Sequence, residues 1–147
     1  MKWISVLTLL FCFVSLPVQA KDYFGLNLAT ETIDSATQKA KSLFADNNRI
    51  EDAGLRIYGN GLLRFYGWFD YMDVRFSTAR GIRRIDVVAN NLSDAQQVKL
   101  IKHLHEDYDL ADLSVLPYRG KDIRGIAWDV RLDGRSVLIS LTNEVDH

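Results

Sequence analysis

The sequence predicts an α+β fold, with two helices packed on one face of an antiparallel sheet. Three observations predict it: two segments with apolar residues at helical spacing, alternating apolar and polar runs between and after them, and a strong hairpin signal near the end. Thr30 is placed to cap the first helix, with Glu31 and Asp34 in its first turn against the positive end of the dipole. Ile33, Ala36, Ala40, Leu43 and Phe44 form its stripe, and Asp46-Asn47-Asn48 ends it. Ser93 and Gln96 match a capping box, in which each side chain satisfies the other's free backbone donor. The buried face expected for this second helix is Ala95, Val98, Ile101, Leu104 and Tyr108.

Elsewhere the period is two. Met72, Val74 and Phe76 alternate with Asp73 and Arg75, and Trp128, Val130 and Leu132 alternate with Asp129 and Arg131. Each run predicts a strand with one face in a core and one in water. Ser77 to Gly81 turns the first into a strand over 82–89. Asp133-Gly134 turns the second into 136–141, with Val137, Ile139 and Leu141 inward. Further strands are expected over 55–58, over 62–66 after the Gly59-Asn60-Gly61 turn, and over 113–118. Residues 71–76 align with 127–132 at an offset of 56, sharing Asp-Val-Arg, so the halves 26–90 and 91–147 read as two tandem units of a helix and three or four strands.

The segment Leu28-Ala29-Thr30-Glu31-Thr32-Ile33, entering a short helix followed by strands, resembles the helix entry of small periplasmic domains such as the BamE-type assembly lipoproteins and the tandem-repeat β-lactamase inhibitor proteins. That resemblance implies an α-then-β repeat and work done by binding other proteins. The chain lacks their lipid-bearing cysteine and their disulfides, and the resemblance assigns no functional residue.

Residues 1–20 read as a secretory signal: Lys2, an apolar run from Trp3 to Val14, and a Pro17-Val18-Gln19-Ala20 end whose Val18 and Ala20 suit signal peptidase. Cleavage after Ala20 is expected to leave a periplasmic or secreted protein with no stable membrane insertion. Removing 20 of the 147 residues leaves 127, enough for one domain over 21–147. It takes away Lys2, so the net charge of −1 becomes −2, which excludes a general nucleic-acid binder. Cys12, the one cysteine, leaves with the leader. Structural disulfides, thiolate nucleophiles and cysteine-ligated metals go with it.

Few residues suit catalysis. His103 and His105 lie two apart on the second helix, His103 toward solvent and His105 beside the buried stripe, so they cannot share a metal; His147 ends the chain. Asp107, Asp109 and Asp112 lack the glycine and distal glutamate of a calcium loop. Asp70, Asp73 and Asp129 are the candidates near aromatic residues for paired-carboxylate hydrolysis of a glycosidic bond, and Asp73 with Arg75 and Asp129 with Arg131 read instead as charge pairs on a wet sheet face. No phosphate loop, nucleophile elbow or zinc motif is present, and neither a metal nor a cofactor is expected.

The anomaly is aromatic. Seven rings, from Tyr58 to Phe76, fall within 19 positions, and neighbours along a strand face opposite ways, so one buried face cannot hold them all. The expected binding surface is therefore Trp68, Phe69 and Tyr71 with Tyr66, bordered by Arg64 and Arg75. Arg80, Arg83 and Arg84 around Gly81 form a secondary basic spot. The leading expectation is a non-enzymatic binder of an envelope protein: an inhibitor, immunity factor or assembly accessory. The alternative is a binder of a small lipid, glycan or peptidoglycan fragment between sheet and helices.

Overall fold

A computed structural model describes residues 22–44, 48–51, 54–58, 69–77, 81–110 and 115–144. The leader, Arg64, Tyr66, Trp68, Arg80, His147 and the strand expected over 62–66 lie outside the described residues.

Helix α1 (Ile33–Phe44) starts two residues later than Thr30 would place it. The N–H of Ser35 donates to Thr32 Oγ1 at 3.1 Å and the N–H of Thr32 donates to Ser35 Oγ at 2.9 Å, so Thr32 is the cap and Ser35 completes a reciprocal box. Asn48, expected to end that helix, instead opens strand β1 (Asn48–Glu51). Then come β2 (Gly54–Tyr58), β3 (Tyr71–Phe76), β4 (Ile82–Ala89), helix α2 (Asp94–Tyr108), β5 (Tyr118–Lys121), β6 (Ala127–Asp133) and β7 (Ser136–Thr142). All pair antiparallel in one sheet of order β1-β2-β3-β4-β7-β6-β5. The Ser93–Gln96 capping box is present as the sequence predicts. So is the last hairpin: Asp133 pairs with Ser136, and Gly134 turns at φ +58°.

The alternation resolves the sheet into two faces. Leu55, Ile57, Met72, Val74, Ile85, Val87, Trp128, Val130, Ile139 and Leu141 point inward and join α1 and α2 in one core. The face of α2 matches the expected one at Leu104 and Tyr108 and differs from it at the first turns. Leu100, Leu104 and Tyr108 are buried and Ile101 packs against them, while Ala95 is exposed and Val98 is 68% exposed. Tyr108 decides the rotation. Its ring lies 4.9 Å from Trp128 and 5.6 Å from Tyr23, and its hydroxyl accepts the Phe24 N–H at 3.0 Å. The same rotation leaves His103 half-buried and His105 exposed, the reverse of the expectation; His105 Nδ1 donates to the Leu110 carbonyl at 2.5 Å.

The segment before α1 is the core's third element. It turns sharply at Phe24 (φ +50°) and Gly25 (φ +81°), which returns the chain so that Leu26 N–H reaches Tyr23 O at 3.0 Å. A left-handed phenylalanine costs about 1–2 kcal/mol. Complete burial of the ring against Phe69, Tyr108 and Trp128 offsets that strain. At the next junction Gly81 (φ +90°) brings its N–H to the Glu31 carbonyl at 3.0 Å, and a Cβ there would meet Leu28 O at 2.6 Å.

Sheet register carries an internal two-fold relation. Val87 pairs with Ile139 and Ile85 with Leu141, so β4 maps on β7 at an offset of 54 about the Asp86–Ser140 pair. β3 then maps on β6 at 56, and β2 on β5 at 63. The offset of 56 is the one at which the two Asp-Val-Arg runs align.

Candidate functional site

Among the described residues no helix covers the other face of the sheet. Three transverse rows cross it, each two residues from the next along the strands. The central row reads Arg56–Asp73–Asp86–Ser140–Asp129–Arg119, in register from β2 to β5. Arg56 grips Asp73 with two hydrogen bonds, Nε to Oδ1 at 2.6 Å and a terminal nitrogen to Oδ2 at 2.7 Å, the fork-to-fork geometry that guanidinium favours. At the two-fold-related position Arg119 Nε lies 3.3 Å from Asp129 Oδ2, and Arg131 Nε lies 3.2 Å from Oδ1. Between them Arg84 Nε bonds both oxygens of Asp86, and Ser140 Oγ donates to Asp86 Oδ1. Those bonds hold the Arg84 guanidinium above its ordinary pKa.

One flanking row is apolar. Tyr58, Tyr71, Val88 and Leu138 sit side by side across β2, β3, β4 and β7, each half-buried. Arg56 lies over the Tyr71 ring, 4.5 Å from its centroid. The other flanking row is cationic: Arg75 opposite Arg84, then Thr142, Ala127 and Lys121. Arg83, the extra residue of the bulge where β3 and β4 shift register, is exposed next to Arg84.

Of the residues expected to bind, the structure therefore brings Tyr71, Arg75, Arg83 and Arg84 to one face. Phe69 is a correction. It is 5% exposed and meets Phe24 edge-on at 5.8 Å, so it belongs to the core. It precedes β3 and escapes the alternation that would have turned it outward. Sequence reasoning passed over Arg56, Tyr58 as part of a stripe, Val88 and Leu138. Aligning the Asp-Val-Arg runs and extending the register outward would have found them.

Of the candidate catalytic carboxylates, Asp73 is hydrogen-bonded to Arg56 and Asp70 Oδ2 accepts the Asn90 N–H at 2.6 Å, whereas Asp129 has only ion-pair contacts with Arg119 and Arg131 and its buried Oδ1 accepts no hydrogen bond. Two further carboxylates are buried. Asp122 accepts from Arg124 N–H (2.9 Å), Ile126 N–H (3.1 Å), Tyr23 Oη (2.5 Å) and Trp128 Nε1 (3.1 Å), locking the β5–β6 turn to the core. Burial, reinforced by this bond to Asp122, pushes the Tyr23 phenol well above its ordinary value. For Glu31 burial alone would raise the pKa, but bonds from Lys39, Ser35 and the Asn27 N–H outweigh it and hold the carboxyl below its usual range. An open groove of about 360 Å³ runs past Glu31, Ile33, Asp34, Phe76 and Gly81. Among the described residues no group of three or more histidines, cysteines or carboxylates is placed to hold a metal, and no helix is long and apolar enough to cross a membrane.

An α+β protein with α1 and α2 on one face of an antiparallel sheet is the class that the described residues define. No protein-family model, curated protein or solved structure matches the chain.

Proposed function

We propose that this is an exported, non-enzymatic binding protein of the cell envelope that docks a protein partner on the face of its sheet opposite α1 and α2. The observation that carries the reading is the stripe Tyr58–Tyr71–Val88–Leu138 on that face. These side chains lie outside the core and are half-buried, and a partner would desolvate what they still expose. Beside the stripe stands a row of ion pairs, the mixture of apolar anchors and polar surround found in protein interfaces. Tyrosine suits such a place because its ring is apolar and its hydroxyl stays wet. Export is supported by the leader.

The test is capture of partners from bacterial envelope extract by the mature protein, wild type against Tyr71→Ala, Leu138→Ser. Both substitutions lie on the outer face, so circular dichroism should match wild type. The expected result is loss of the wild-type partner. Equal recovery by the folded variant overturns the reading.

A further inference from the structure

The cationic row contains a like-charge contact that the described protein leaves unrelieved. Arg75 stands directly opposite Arg84, and both are exposed. Asp86 holds Arg84. No carboxylate lies within ion-pair reach of Arg75 among the described residues, and its other cross-strand neighbour is Gly54. Arg83 adds a third guanidinium from the bulge. Its two-fold counterpart is different: Arg131, equivalent to Arg75, sits beside Asp129. Like charges directly opposite on a sheet face destabilise the pair. A carboxylate delivered from outside would remove that penalty at the moment of binding.

From β2 to β5 the three rows and the bulge carry seven cations (Arg56, Arg75, Arg83, Arg84, Arg119, Lys121 and Arg131) against Asp73, Asp86, Asp129 and the Glu144 that pairs with Lys121, in a chain whose net charge is −1. Positive charge is thus concentrated on the face that also carries the apolar stripe. We infer that the partner presents an acidic polypeptide segment, setting its carboxylates on Arg75, Arg83 and Arg84 and its apolar side chains on the Tyr58–Leu138 stripe. This names the chemistry of the partner and rests on the docking reading above. The two rows lie four residues apart along the strands, about 13 Å, within the span of a short peptide segment. A sheet of lipid phosphates fits less well, because it would meet Asp73, Asp86 and Asp129 between the two rows.

The probe is a hexaglutamate peptide titrated into ¹⁵N-labelled mature protein, with hexalysine and phosphatidylglycerol vesicles as the other arms. Hexaglutamate is expected to shift the amide resonances of Arg75, Arg83 and Arg84 and to raise Tm, hexalysine to do neither, and Arg75→Glu to weaken hexaglutamate binding at least fivefold. Absence of shifts at those three residues, equal binding by Arg75→Glu, or tighter binding of the vesicles than of the peptide overturns the inference. Envelope capture separates its failure from that of the docking reading. If Tyr71→Ala, Leu138→Ser loses the partner while Arg75→Glu keeps it with unchanged salt dependence, the face stands and the acidic partner falls. If every variant captures equally, both fall.

Discussion

The two flanking rows of the open face are the same place in the fold written twice. The two-fold relation carries Arg75 onto Arg131, Arg84 onto Leu138, Thr142 onto Val88, Ala127 onto Tyr71 and Lys121 onto Tyr58. Backbone geometry is shared, so it cannot explain why one row is cationic and the other apolar. In the central row, by contrast, Arg56 matches Arg119 and Asp73 matches Asp129. The difference teaches where side-chain chemistry is tied to the architecture and where it is free to serve a surface. Ion pairs in the middle knit neighbouring strands together on both sides of the axis, whereas the flanks differ in ways that strand pairing does not require.

The inner face offers the harshest way to break the comparison. Trp128 and Met72 occupy equivalent sites, but Trp128 also packs on Tyr108, Tyr23 and Phe24 and bonds Asp122. Trp128→Ala should cost about 4 kcal/mol and Met72→Ala about 3 kcal/mol, read by urea denaturation. A smaller loss at Trp128 than at Met72 would mean that the aromatic cluster does not bind the N-terminal segment to the second half.

The tight turns come next. Gly81→Ala forces a Cβ to within 2.6 Å of the Leu28 carbonyl at a positive φ, and should cost about 3 kcal/mol or more. Gly134→Ala, at the corresponding turn of the second half, meets nothing within 4 Å and bears only the left-handed penalty of about 1 kcal/mol. Equal Tm losses would show that the Gly81 junction yields, and that its bonds to the segment before α1 are not holding it.

Much of this was legible in the residues. Alternation located β3, β4, β6 and β7, and the capping box located α2, because in each case a single local rule had no competitor. The face of α2 was legible only in part. Leu104 and Tyr108, expected in the buried face and found there, keep helical spacing with Ala95, Val98 and Ile101 and equally with Leu100, and the choice between those was made by Tyr23 and Phe24 arriving from about 80 residues upstream. Phe69 was misread for the same reason, since its partner Phe24 is 45 positions away. The open face was half legible: Tyr71, Arg75 and Arg84 were chosen singly, but the rows that unite them exist only once the register is known.

Two smaller losses are gated by pH. The Glu31 carboxyl is depressed in the folded state, so its contribution is present above the ordinary glutamate pKa and is lost as pH falls below that range through the folded value. Tyr23 is raised, so its contribution is complete below the ordinary tyrosine value of 10.0 and is lost as pH rises above it. Glu31→Gln should flatten the acid limb of a stability–pH curve and leave the alkaline limb alone, and Tyr23→Phe should do the reverse. A single substitution that moved both limbs would show that the segment before α1 unfolds as one unit with the sheet.

The smallest effect separates the two rows most cleanly because it differs in sign. Arg75→Glu replaces a repulsion with a cross-strand pair to Arg84 and should stabilise the protein by about 0.2–1 kcal/mol. Arg131→Glu, at the equivalent site, sets a second carboxylate against Asp129 in place of a favourable contact and should destabilise by a similar amount, moderated because Arg131 is partly solvated. Raising the salt concentration to about 1 M should shrink both differences, since the Debye length falls to about 3 Å. Stability changes of the same sign would mean that Arg75 has relief within the chain, and its charge would then be part of the fold's own pairing rather than a surface held ready for a partner.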